Sequence, residues 1–212
     1  CGLMPNDYMA PGTCLSSNAF RISSTSPVIV YQFNVFENNF SNDASLLLPT
    51  PALGMNYRVV GWPAGHPVKL FDIIDRSALT IVGTQPDTKV TVKPTFRIKG
   101  NPPVPPIPGG GAYEVTLGPF DVLNLETADG SVQDDPTTIA DLTGSVVLSD
   151  KPVAVFSGVE STAAPGGVIS IPTHPDWGEG DTCCLDHLEE QLFPVESIGK
   201  NYVITRSPIR ST

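Results

Sequence analysis

The stretch from His174 to Glu190 gathers side chains that bind metals or move protons: His174, Asp176, Glu179, Asp181, Cys183, Cys184, His187 and Glu190. Reduced thiolates with an imidazole would suit zinc, and on a helix His187 and Glu190 would share a face at i and i+3. The spacings that mark such sites, Cys-x-x-Cys or His-Glu-x-x-His, are absent. Asp176, Glu179 and Asp181 instead offer hard oxygens of the kind calcium takes, which makes them the candidate metal ligands. Their spacing departs from an EF-hand loop, and a solvated acidic loop is the plainer reading. Trp177 lies beside Asp176 and Gly178 in the same loop. Asp176, Trp177, Glu179 and His187 are therefore the candidate ligand contacts. No cofactor other than calcium is suggested.

Acyl-transfer chemistry needs a nucleophile on a strained turn, and no Gly-x-Ser-x-Gly occurs; Ser157 in Phe156-Ser157-Gly158 is the nearest substitute. Gly109-Gly110-Gly111 follows a proline-rich run and does not open a helix, so no phosphate cradle is expected. The residue types point away from an enzyme. A metal-dependent hydrolase built on the His174–Glu190 region is the alternative.

The elements that would position these residues are strands. Ile29, Tyr31, Phe33 and Val35 alternate with Gln32 and Asn34; Val90 and Val92 alternate with lysines and threonine; Tyr113, Val115 and Leu117 repeat the rule. Gly, Pro, Asn and Asp bound each run, which predicts an all-β, antiparallel, sandwich-like fold. The proline-rich run from Gly100 to Gly111 reads as an exposed hairpin tip. Leu185, Leu188 and Leu192 at helical spacing predict one short helix over 185–192.

Two landmarks recur in the same order. Ser26-Pro27-Val28-Ile29-Val30-Tyr31 resembles Lys151-Pro152-Val153-Ala154-Val155-Phe156. Leu47-Leu48-Pro49, Gly54 and Asn56-Tyr57 are matched by Leu192-Phe193-Pro194, Gly199 and Asn201-Tyr202. The repetition predicts two related β modules, 1–130 and 131–212, the second carrying a loop-rich insertion from Gly158 to Leu188 and truncated at its C-terminus.

Acidic residues outnumber basic ones, 22 to 12, for a net charge of −10, and no basic cluster exists. Nucleic acid and anionic membranes would repel such a surface. No apolar run approaches the roughly 20 residues of a membrane-spanning helix. Cys1, Cys14, Cys183 and Cys184 are disulfide candidates for an oxidising compartment, with three connectivities open. The chain starts at Cys1 rather than Met, which reads as a processed chain or a fragment of a longer one.

Five segments together resemble the IgG Fc-binding protein N-terminal domain family, in its bacterial or animal surface and secreted members. They are Tyr31-Gln32-Phe33, the run from Ser41 to Pro49, Asp141-Leu142-Thr143-Gly144, the run from Lys151 to Gly158, and the run from Cys184 to Pro194. The resemblance implies an extracellular or cell-surface adhesion or binding module within a longer chain, meeting a protein or glycan ligand. A structural spacer is a further alternative.

Overall fold

Period-two burial builds the centre of the molecule. The computed structural model describes residues 12–35, 42–64, 74–129, 140–162 and 186–203. In chain order the strands are β1 (Cys14–Ser16), β2 (Tyr31–Val35), β3 (Asn42–Leu46), β4 (Gly54–Arg58), β5 (Ser77–Gly83), β6 (Thr88–Lys93), β7 (Tyr113–Leu117), β8 (Val122–Glu126), β9 (Val146–Thr162) and β10 (Asp186–Gln191). On β5, every second residue is buried, and Leu79 and Ile81 are wholly enclosed. Val90 and Val92 on β6, Leu123 and Leu125 on β8, and Val147, Val153, Val155 and Val159 on β9 complete the same core. Each such aliphatic side chain contributes about 1.5–3 kcal/mol by leaving water.

All the strand pairs are antiparallel, as the alternating pattern predicts. The main sheet runs β1-β8-β5-β9-β6-β7, with β4 and β10 also paired to β9. The spine is β9, 17 residues long and rich in valine. Its first part pairs with β6 on one edge and β4 on the other; its second part pairs with β5 and β10. Four strands therefore share one long strand, and the sheet curls about it. Strands from both sides of residue 130 share this sheet. The remaining strands, β2 and β3, form a separate hairpin.

Three local expectations meet a different outcome. Residues 186–191 form strand β10 rather than a helix. Leu188 packs on the core and Leu192 is buried, because the period of two puts residues four apart on one face of extended chain as well as on one face of a helix. The short helical segments among the described residues are 3-10 turns, Thr50–Ala52 and Val195–Ser197. The proline-rich run does make tight connections, pairing Asn101 with Val104 and Ile98 with Ile107, but Val104 and Ile107 are buried in the core rather than displayed. Finally, the alternation of Ile29, Tyr31 and Phe33 is present, yet that apolar face lies open to solvent, with Phe33 66% exposed.

Candidate ligand cleft between β3 and β10

β3 and β10 lie side by side without forming a backbone ladder, stitched instead through side chains. The backbone N–H of Glu189 donates to Asp43 Oδ2 at 2.5 Å, and that of Gln191 donates to Ser45 Oγ at 2.8 Å. Leu48 N–H donates to Gln191 Oε1 at 2.6 Å, and Ser45 Oγ donates to Glu190 Oε1 at 3.3 Å. Because the two strands are held by side chains, a space remains beside them. It is a cleft of about 260 Å³ lined by Asp43, the Val60-Gly61-Trp62 segment after β4, Ser157 to Val159 of β9, and Leu188 to Glu190 of β10.

Trp62, Val159 and Leu188 give the cleft an apolar wall, while Asp43, Glu189 and Glu190 give it carboxylates. Two neighbours orient Glu189: Gln32 Nε2 donates to its Oε1 at 2.8 Å, and His187 Nε2 lies 3.6 Å from its Oε2. The opposite rim is fixed by Thr143, whose Oγ1 accepts from Gly61 N–H at 3.1 Å. A Cβ on Gly61 would stand 2.7 Å from Ser157 Oγ, so glycine is needed for the loop to approach β9 this closely. An aromatic side chain beside oriented acceptors suits a ligand presenting an apolar group together with N–H or O–H donors.

Of the predicted contacts, His187 belongs to this neighbourhood. On a strand it shares a face with Glu189 rather than Glu190, so the helical pairing with Glu190 does not occur. Asp176, Trp177, Glu179 and Asp181 lie outside the described residues, as do Cys1, Cys183, Cys184 and His174. The insertion that carries most of them leaves β9 at Thr162 and re-enters at Asp186, and these two residues pair. Among the described residues no three His, Cys, Asp or Glu side chains converge as a metal-holding group. Cys14 is buried in β1, and the described residues include no free thiol. Ser157 sits inside β9 rather than on a turn.

A second charged cluster clasps the sheet behind β5. The Arg76 guanidinium donates to Thr127 O at 2.6 Å, pairs with Asp129, and lies 3.9 Å from Glu126. Its backbone N–H donates to Glu160 Oε2 at 2.8 Å. Desolvation, then the nearby Glu126 charge, pushes the Glu160 carboxyl up to about 7. Desolvation also raises Glu126 against the pull of Arg76. At Asp129 partial burial acts upward too, but the Arg76 hydrogen bond and charge prevail and hold it below the ordinary carboxylate range.

The five segments singled out in the sequence meet around the cleft. Gln32, Asp43 with Ser45, Thr143, Ser157 with Gly158, and Glu189 to Gln191 come from each in turn. The model of the family described as IgGFc binding protein matches residues 43–212. The chain belongs to this family. It is 29% identical over 164 residues to the human IgGFc-binding protein, an alignment that covers 76% of the chain and 2% of that relative. The chain thus spans a small fraction of the length of the curated relative it matches. No solved structure matches. No helix among the described residues is long and apolar enough to cross a membrane.

The sequence analysis passed over Asp43 and Gln32 as site residues. Asp43 and Gln32 stood within segments that carry the resemblance, which was the available signal; Trp62 lies outside them, and only the fold brings it to β10.

Proposed function

We propose that the chain is an extracellular binding module, without a catalytic role, that engages a protein ligand at the β3–β10 cleft. The observation that carries this reading is the meeting at one cleft of the five segments that carry the resemblance, four of which reach into the matched residues 43–212, although they are scattered from Tyr31 to Pro194 in the chain. Folds place recognition on loops held by a rigid scaffold. Asp176, Trp177 and Glu179 belong to the proposed contact surface because the insertion bearing them springs from Thr162 and Asp186, next to Val159 and Leu188 of the cleft wall. Adhesion within a longer surface or secreted protein, and the division into related modules 1–130 and 131–212, are parts of the same proposal. Disulfide bonding of Cys14 would fit the oxidising compartment it implies.

The name of the human IgGFc-binding protein makes the immunoglobulin Fc fragment the first probe, followed by purified mucins. Immobilised Fc and mucin should be titrated with the parent chain, with Trp62→Ala and with Glu189→Gln. Saturable binding that falls at least tenfold in both variants, but not in the remote variant Lys89→Ala, supports the cleft. Saturable binding indifferent to both would move the site elsewhere, and no saturable binding to either probe would favour a spacer.

A further inference from the structure

We propose that this chain self-associates head to tail, the segment Gly199–Val203 of one copy docking as a strand along Arg21–Val28 of a second copy. The interface would repeat one that the chain already makes within itself, that of β4 on β9.

The internal precedent rests on two equivalent halves. In the β2–β3 hairpin Tyr31 faces Leu46, and Leu47 N–H donates to Val30 O at 2.9 Å. In the β9–β10 hairpin Phe156 faces Gln191, and Leu192 N–H donates to Val155 O at 2.8 Å. Each hairpin then runs through a proline, Pro49 or Pro194, into a 3-10 turn. Each turn leads to a glycine whose N–H donates to the hydroxyl of the tyrosine three residues on: Gly54 to Tyr57 at 2.9 Å and Gly199 to Tyr202 at 2.7 Å. Sequence landmarks, hairpin registers and the glycine–tyrosine closure all coincide.

The two halves differ in what their glycine–tyrosine segments rest on. β4 is seated on β9, pairing Gly54 with Val153, Asn56 with Leu148 and Tyr57 with Val147. Tyr57 is 0% exposed there, and its hydroxyl donates to Val153 O at 2.6 Å. Tyr202, by contrast, is 69% exposed and Val203 is open to solvent. By the equivalence of Val28 with Val153, the seat for this second segment is Arg21–Val28. The same register would place Gly199 opposite Val28, Asn201 opposite Ser23 and Tyr202 opposite Ile22, with the Tyr202 hydroxyl on the Val28 carbonyl. Phe20, Ile22 and Val28 of that seat are exposed, and no pairing joins the two segments among the described residues. Segment and seat stay apart among the described residues, and the seating of β4 on β9 is the precedent for joining the segment of one copy to the seat of another. The contact also continues an established one: Gly54 of β4 abuts Pro194, and a docked Gly199 would abut the equivalent Pro49.

Such a contact is heterologous, one donor strand and one seat per copy, and builds a linear array unless its rotation closes. One strand edge is a small interface, so separate copies associate weakly, whereas tethered copies gain from effective concentration.

The test uses Ser23→Cys and Asn201→Cys in separate chains, mixed under mild oxidation, with the bridges mapped by mass spectrometry. The expected result is a 23–201 heterodimer whose yield rises with concentration, and falls at least fivefold when Tyr202→Ala is added or when Thr25→Cys replaces Ser23→Cys. All these substitutions lie on exposed positions, and circular dichroism confirms that each variant keeps its fold. A yield no higher than in the unmixed chains overturns the proposal. So does a 23–201 bridge in the double variant that forms within one chain independently of concentration.

Discussion

Removing a single oxygen from Tyr57 should be among the most damaging conservative changes in this protein. The hydroxyl accepts from Gly54 N–H at 2.9 Å and donates to Val153 O at 2.6 Å, in a site closed to solvent. Burial raises the hydroxyl above its ordinary pKa, with the Gly54 hydrogen bond opposing and Glu196 adding to the rise, so it stays a proton donor at neutral pH. Tyr57→Phe strands a buried donor and a buried acceptor at once. An unsatisfied buried polar group costs about 1–3 kcal/mol, and partial relaxation brings the pair to about 2–4 kcal/mol. At about 2–4 °C per kcal/mol for a chain of this size, the midpoint should fall by roughly 5–15 °C. Urea unfolding followed by fluorescence, with unchanged m, gives the free energy directly. Tyr202→Phe is the matched control: its hydroxyl meets Gly199 N–H in an exposed site, and the loss should stay below about 0.5 kcal/mol. A Tyr57→Phe cost under about 0.5 kcal/mol, or equal costs for the two variants, would refute the account.

The remaining expectations concern charge, crowding and core volume. Glu160 has its folded pKa raised to about 7, so its favourable contribution is present below about 4.5 and is lost as pH rises through 7; Glu160→Gln should flatten the melting-temperature profile across that window and melt higher than the parent at pH 8. A steeper profile in the variant would contradict this. Gly54→Ala would bring a Cβ within 2.4 Å of Pro194 Cβ, which a rigid ring cannot yield, and should cost about 1–3 kcal/mol, whereas Gly199→Ala meets nothing closer than 3.5 Å and should be nearly neutral in the separate chain by urea unfolding. Leu79→Ala should cost about 2–5 kcal/mol in the same assay, since the enclosed site leaves a cavity that β5 and β9 cannot close.

What could be read from the sequence divides by range. Val90 with Val92, and Tyr113 through Leu117, announce strands because burial on one face of a strand imposes period two on the nearest neighbours. The paired landmarks around Tyr57 and Tyr202 are legible for the same reason: a 3-10 turn closed by glycine and tyrosine is a local device. The signals failed where the third dimension decides. Leu188 and Leu192, spaced for a helix, also share one face of a strand, and alternation at Ile29, Tyr31 and Phe33 says which residues share a face but not which face the core takes. Val104 and Ile107 sit among prolines, yet prolines that forbid a sheet interior do not forbid their neighbours from entering the core. The cleft was least legible, because Asp43 and Glu189 are joined by one hydrogen bond across 146 residues of sequence.

The glycine–tyrosine closure also bears on the proposed contact between copies. Docking a free segment normally costs the ordering of its backbone, about 1–2 kcal/mol per residue. In Gly199–Tyr202 the loop is already closed by the Gly199 to Tyr202 hydrogen bond while the tyrosine still faces solvent. Part of the ordering cost is therefore met before any partner arrives, and the hydroxyl keeps its own proton to donate to a carbonyl on arrival, as Tyr57 does to Val153. Preorganisation of this kind raises affinity without adding contact area. It follows that Gly199→Pro, which removes the donor of the closing hydrogen bond, should weaken 23–201 cross-linking more than it changes the stability of the separate chain.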